Sequence, residues 1–226
     1  MKTQLIFKSL LIFLLGAAAT VRADSAWGIK GGLNLAARYG DTNKNAYDNR
    51  KLLPGAAACA FLELAFSDNF ALQPELAYTM KGYKSSTNAD NSTVSRFHFI
   101  EIPVLFKLRV QSGSVTTGFY AGPALAFRAG ISGYAVAAGD KTEFSNAMIN
   151  DMKDMTKVVD FGVPLGVDMN IDLGSLELVL DARYTLGLVK IWKLTDDMKD
   201  MGMTEDDLTK DKNQALSIMA GLAFSF

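Results

Sequence analysis

The stretch Gln214-Ala215-Leu216-Ser217-Ile218-Met219-Ala220-Gly221-Leu222-Ala223-Phe224-Ser225-Phe226 decides the fold. In an extended chain Leu216, Ile218, Ala220, Leu222, Phe224 and Phe226 share one side, and Ser217, Met219, Gly221, Ala223 and Ser225 share the other. Side chains of a β-strand point alternately to opposite faces, so a period of two sustained over this length describes a strand with one apolar face.

The same alternation recurs upstream. It predicts strands over 27–36, 53–66, 70–83, 95–110, 115–127, 158–171 and 176–189, with 214–226 as the eighth. Three connections are short turns: Ser67-Asp68-Asn69, Gln111-Ser112-Gly113-Ser114 and Asp172-Leu173-Gly174-Ser175. The others, 37–52, 84–94, 128–157 and 190–213, are long and polar. Long and short connections therefore alternate along the whole chain. Membrane barrels carry short periplasmic turns and long outer loops, whereas a soluble β-protein has no reason to alternate. The expected fold is all-β: an eight-stranded antiparallel up-and-down transmembrane β-barrel. A terminal strand that alternates and ends on an aromatic also fits a signal read by barrel assembly machinery, with Phe224 and Phe226 as its residues.

The N-terminus carries Lys2 and Lys8, an apolar run over 10–19, and then Val21-Arg22-Ala23. That layout is a cleavable signal peptide, too short to span a bilayer. Residues 1–23 are expected to be the signal peptide and 24–226 the barrel domain. Position 24 is Asp, so no lipoprotein is expected, and no later run approaches the length of a membrane helix. The net charge of −1 leaves no basic footprint for nucleic acid. Cys59 is the single cysteine, so no disulfide forms within the chain.

Alternation alone does not say which face points inward. A secreted lipocalin-like barrel would turn its apolar face to the core, and a membrane barrel would turn it to lipid. The apolar faces carry only two ionisable groups, Arg96 and His98, and half of the opposite face is Gly, Ala, Ser and Thr. Small residues suit the crowded interior of a narrow barrel. Trp27, Phe66, Phe70 and Phe226 at one end, and Tyr83, Phe127, Phe161 and Trp192 at the other, read as two aromatic girdles.

With that polarity the lumen receives the acids Glu63, Glu75, Glu101, Asp160, Asp168, Glu177 and Asp181. Its bases are Lys30, Lys81, Lys107, Arg109, Arg128 and Arg183. A selectivity filter favours one sign, whereas near-balanced charges in a tight bore are expected to pair and plug it. Glu101 or Glu75 with Lys81, Lys107 or Arg109 are the expected pairs. A narrow porin-like path for small solutes is the alternative.

Catalysis has little to stand on in the sequence. His98 is the single histidine, and the nearest hydroxyl, Ser95, lies three residues back on the opposite strand face. No catalytic residue, cofactor site or metal site is assigned, and the chain is not expected to be an enzyme. Asp151-Met152-Lys153-Asp154-Met155 recurs as Asp197-Met198-Lys199-Asp200-Met201 in the two longest loops. Met148, Met152 and Met155 share the spacing of one helical face, as do Leu194, Met198 and Met201. The expectation is two short helices that pack Met-face to Met-face as a lid, or offer an adaptable docking patch for an extracellular ligand or protein. A thioether Cu(I) site is a third reading of the methionines. The acidic run 196–211 matches no EF-hand spacing and reads as a solvated loop.

The chain resembles the PorT-like outer-membrane β-barrel family. The resemblance rests on Gly28-Ile29-Lys30-Gly31-Gly32-Leu33-Asn34, on Pro74-Glu75-Leu76-Ala77-Tyr78 with Lys81-Gly82, and on Ile100-Glu101-Ile102-Pro103-Val104-Leu105 with Lys107. Ala121-Gly122-Pro123, Asp160-Phe161-Gly162 with Gly166, Tyr184 with Gly187-Leu188, and the terminal Phe-Ser-Phe follow in order. It implies a monomeric barrel in the lipid of a Gram-negative outer membrane, inserted by the assembly machinery. The family takes its name from a member tied to protein export, which makes an export accessory a further alternative.

Overall fold

The computed structural model describes residues 25–40, 52–86, 90–208 and 210–226. The expected signal peptide, 1–23, lies outside the described residues. In chain order the elements are β1 (Ala26–Tyr39), β2 (Leu53–Ala65), β3 (Phe70–Ser86), β4 (Ser92–Ser112), β5 (Val115–Ala121), β6 (Ala124–Ala137) and β7 (Asp140–Glu143). Then come α1 (Asn146–Met155), β8 (Val159–Asp172), β9 (Glu177–Gly187), α2 (Asp196–Asp200) and β10 (Lys212–Ser225).

These elements close into one antiparallel ring of eight strands. β5 and β6 are two halves of a single barrel strand, since both pair with β4 on one side and β8 on the other. They part at Gly122-Pro123, where proline has no N–H to give the ladder. The ladder survives the break because Gly122 N donates to Pro164 O at 3.1 Å and Pro123 O accepts from Val104 N at 2.9 Å. β10 closes the ring on β1, in register from Ala26 opposite Ser225 to Tyr39 opposite Lys212. A closed sheet has no unpaired edge, the condition for a β-structure to cross hydrocarbon.

The burial of the strands is inverted relative to a soluble barrel. Trp27, Ile29, Phe70, Leu76, Phe106, Ile218 and Phe226 are exposed on the outside, while Lys30, Glu75, Glu101, Lys107 and Asp181 are buried within. That pattern excludes the lipocalin-like alternative.

One strand departs far from the expected bounds, and the others by no more than about three residues at either end. The sequence reading ends strand five at 127 and begins a long loop at 128, but β6 runs on to Ala137 and returns through β7. The reason is a bulge. The β4–β6 register shifts between His98 and Phe99, which face Gly130 and Arg128, so Ala129 is an extra residue. An inserted residue switches which parity faces inward, and the period of two is broken at that point. Below the bulge Ala126 is buried in the lumen, and above it Ile131 is.

Candidate functional site

Three tiers of charged side chains cross the lumen. In the tier nearest the short turns, Lys107 Nζ stands 2.5 Å from Glu63 Oε2 and 2.7 Å from Asp168 Oδ2. Arg109 Nε lies 3.3 Å from the other oxygen of Glu63. In the middle tier the Arg183 guanidinium forks onto Glu75, with Nη1 donating at 2.7 Å and Nη2 at 2.9 Å. Lys30 Nζ joins Asp181 at 2.6 Å and Glu75 at 3.1 Å. Tyr120 OH donates to Asp181 at 2.8 Å and accepts from Arg183 Nε at 3.1 Å. In the upper tier Lys81 Nζ lies 2.8 Å from Glu101 and 3.4 Å from Asp160. Thr79 donates to Glu101, and Asn213 donates to Asp160 at 2.9 Å.

Strand alternation explains why these groups meet. Each sits at an inward position, and antiparallel neighbours bring inward positions side by side. Glycines on the same face make the room. A Cβ on Gly118 would stand 2.2 Å from Lys107 Cε and 2.4 Å from Asp168 Oδ1. One on Gly166 would stand 2.5 Å from the Tyr120 hydroxyl. Ions withdrawn from water cost several kcal/mol each, so such groups persist only when paired and hydrogen-bonded. The middle tier meets that condition most fully, with a bidentate fork and none of its charged side chains more than 6% exposed.

The pairing corrects one expectation. Lys81 takes Glu101, as one of the expected pairs has it, but Glu75 takes Arg183 and Lys30 rather than Lys81, Lys107 or Arg109. Glu75 lies level with Arg183 across the bore, and the alternation of single strands carries no information on which heights coincide. Tyr120, Thr79, Gln73 and Asn213 were missed as partners. Gln73 donates to Glu75 at 2.7 Å, and its own oxygen accepts from Lys107 at 3.3 Å. Their inward parity was the available signal. Of the remaining inward residues, Glu177 accepts from Asn170 at 2.9 Å and from Ser225 at 2.7 Å near the short turns. Arg128 at the other end donates to the carbonyls of Lys153 at 3.1 Å and Thr156 at 3.4 Å, at the C-terminus of α1.

At the mouth, Arg38 Nη1 lies 3.2 Å from Asp211, and its guanidinium sits 3.3 Å above the Tyr83 ring and 6.0 Å from Trp192. Phe97, Phe99, Ala126 and Ile131 form a buried cluster there, with Tyr83, Ile149 and Met152 packed on it. Tyr83 and Trp192 therefore do not belong to an outer girdle. Tyr83 shares the inward parity of Lys81, and Trp192 comes from a loop that turns back over the bore. Of the other girdle members, Trp27, Phe70, Phe127, Phe161 and Phe226 are exposed on the outside and Phe66 is half-buried. Phe224 stacks on Trp27 with ring centroids 5.0 Å apart, and Phe226 N donates to Ser25 O at 2.9 Å.

Both expected helices are present in the loops. Ser145 caps α1 by accepting from Met148 N at 3.3 Å, and Thr195 caps α2 by accepting from Met198 N at 3.4 Å. The two loops join by backbone: Thr156 bridges Trp192, Lys157 N donates to Ile191 O at 2.8 Å, and Lys193 N donates to Met155 O at 3.0 Å. The methionine stripes do not cover each other. Met148 is 48% exposed and Met201 79%, and the residues of α1 that pack on the mouth cluster are Ile149 and Met152. α2 is only five residues long, so Leu194 precedes it and Met201 is its C-cap; the helical spacing runs off both ends. Two acids of this loop have depressed pKa values: Lys199 hydrogen-bonds Asp196, and the Thr204 hydroxyl and N–H bond Asp207.

His98 lies on the outer face near the upper end of β4. Its Nδ1 is 2.6 Å from Tyr78 OH and its Nε2 is 2.9 Å from Ser132 Oγ. Ser95 is buried on the inner face, as its parity requires. Sequence reasoning passed over Ser132 because the bulge at Ala129 hides the face on which it lies. Among the described residues no group of three or more His, Cys, Asp or Glu side chains is placed to hold a metal ion.

The sequence matches the family model described as outer membrane protein beta-barrel domain over residues 18–193. No curated protein matches it. Similar solved structures include the attachment invasion locus protein Ail of Yersinia pestis with the heparin analogue sucrose octasulfate, at 10% identity and TM-score 0.39, covering 89% of this chain and 99% of that one. Neisserial surface protein A is similar at 14% identity and TM-score 0.44, with 89% and 99% covered. OprG from Pseudomonas aeruginosa is similar at 10% identity and TM-score 0.47, with 89% and 96% covered.

Proposed function

This chain belongs to the family of outer membrane protein β-barrel domains, and from that membership we propose that it is a closed barrel whose outer loops are its working surface. It resides in the bacterial outer membrane. The observation that carries the reading is the middle tier, where Lys30, Glu75, Asp181 and Arg183 interlock across the bore with side chains 0–6% exposed. An eight-stranded barrel leaves an interior that side chains can fill, and paired charges there act as a plug rather than as a filter. The order of motifs from Gly28 to Phe226 favours the PorT-like members of the family. The chain works as a monomer in outer-membrane lipid, with residues 1–23 removed on export and Phe224 and Phe226 read by the assembly machinery.

With the bore plugged, α1, α2 and the β6–β7 hairpin are what the described residues offer to the outside, as a structural element or a docking surface. Met148, Met155 and Met201 are exposed there, and flexible thioether side chains adapt to varied partners. The test is genetic complementation with 144–157 and 195–208 replaced by short Gly-Ser linkers. The linker variant should still assemble as a heat-modifiable barrel and fail to restore what deletion of the gene abolishes. Full restoration would remove the working surface from these two loops.

A further inference from the structure

The hydrogen-bonded chain Tyr78–His98–Ser132 stands beside a groove on the outer face of the barrel. The groove has a volume of about 670 Å³, walled by Ile29, Leu76, Ile100 and Leu222 over Ala60, with Tyr78 on its lining. Its volume lies within the range of small-molecule sites, and its walls are apolar. Cross-strand register sets the heights. Leu222, Ile29, Ala60 and Leu76 form one row across four strands, and Tyr78 and Ile100 stand in the next row toward the outer loops. His98 is opposite Met80 one row higher, and Ser132 is opposite Arg96 above that. An apolar slot at lipid depth thus leads up to a hydroxyl, an imidazole and a guanidinium.

From this juxtaposition we propose that the outer face carries an acyl-ester hydrolase site, with the groove holding an acyl chain of a membrane lipid and Ser132 attacking its ester carbonyl. The geometry meets the requirement of an activated nucleophile: a hydroxyl within hydrogen-bond reach of a base that is itself oriented by a third group. The step requires the His98 proton on Nδ1, donated to the Tyr78 oxygen, so that Nε2 accepts from Ser132. The Ser132 Oγ–carbon bond forms as its proton passes to Nε2. The ester C–O bond then breaks, and the departing alcohol takes that proton. Water attacks the acyl-serine and gives a proton to Nε2, which returns it to Ser132 Oγ as the fatty acid leaves. Arg96 and Ser132 are directly opposed on the outer face, a placement that puts Cβ atoms about 5 Å apart. The Arg96 guanidinium sits 5.6 Å from the Tyr134 ring, one row nearer the outer loops, and offers a cation to the phosphate of a bound lipid. Tyr78 is a positioning residue, because it acts through the imidazole.

The experiment uses the folded barrel in lipid nanodiscs with two probes, p-nitrophenyl laurate and a long-chain alkyl fluorophosphonate. The wild-type protein should release p-nitrophenolate and take the fluorophosphonate on Ser132, located by peptide mass spectrometry. Ser132→Ala and His98→Gln should lower turnover by about a hundredfold or more. Tyr78→Phe keeps the ring on the groove, so it should lower kcat by about tenfold and leave KM unchanged. All three changes lie on the outer face, and heat-modifiable migration verifies the fold. A wild-type barrel that takes no fluorophosphonate at Ser132, or that turns over no faster than Ser132→Ala, overturns the proposal without reference to the other variants.

Discussion

The lumen and the extracellular cap are built from the same residue types but solve opposite problems. In the lumen Lys107, Glu63 and Asp168 are within 3% of full burial, so every charge needs a partner at contact distance. In the cap Lys199 and Asp196 also make a contact, at 2.7 Å, yet both are more than half exposed. Exposed pairs contribute about 0–1 kcal/mol, whereas breaking a buried pair costs several times that. The same ion pair is thus a structural necessity in one region and nearly neutral in the other.

Four perturbations sharpen that contrast. The largest effect belongs to Arg183→Met, which leaves Glu75 and Asp181 with Lys30 as their remaining cation. Urea unfolding in liposomes should show a loss of about 3–5 kcal/mol. A change below 1 kcal/mol would mean that water already reaches the tier. Next comes Gly118→Ala, whose Cβ collides with Lys107 Cε and Asp168 Oδ1. It should cost about 1–3 kcal/mol by overpacking, and Gly139→Ser in the outer hairpin, where a Cβ meets nothing, serves as the exposed counterpart in the same unfolding assay. Gly139 has φ +92, so that counterpart pays only for its backbone conformation.

Smaller still is the contrast between two methionines of the cap. Met152 packs on the mouth cluster and Met201 is 79% exposed. Met152→Ala should lose about 1 kcal/mol and Met201→Ala less than about 0.5 kcal/mol. Equal losses would restore the packed methionine lid. The smallest effect concerns pH. Asp207 is held below the ordinary carboxylate value by Thr204, so its folded pKa is depressed. Its contribution to the loop turn is present above the unfolded value of about 4 and is lost as pH falls through the folded value. Amide resonances of Thr204 and Asp207 should move together in that window while those of the lumen stay still.

The fold was legible in the sequence because a membrane barrel writes two independent signals. Alternation gives the strands, and the alternation of long with short connections gives the ring. Both signals failed where the backbone left regular geometry. At Ala129 one inserted residue reversed the parity, hid strand residues through Ala137 and concealed Ser132 beside His98. The inward charges were legible as a set, since each lies on the polar parity. Their pairing was not, because it depends on strand stagger, which brought Glu75 level with Arg183 rather than with Lys107. The loop helices were visible in the spacing of their methionines. What those methionines touch was not, because the spacing of one segment says nothing about what lies opposite it.

The most direct test of the closed lumen is single-channel conductance of the refolded barrel in a planar bilayer, with insertion verified by protection of the strands from protease. The three paired tiers predict a silent membrane at moderate voltage. Steady, reproducible openings of one amplitude would contradict the plug and make this barrel a conduit.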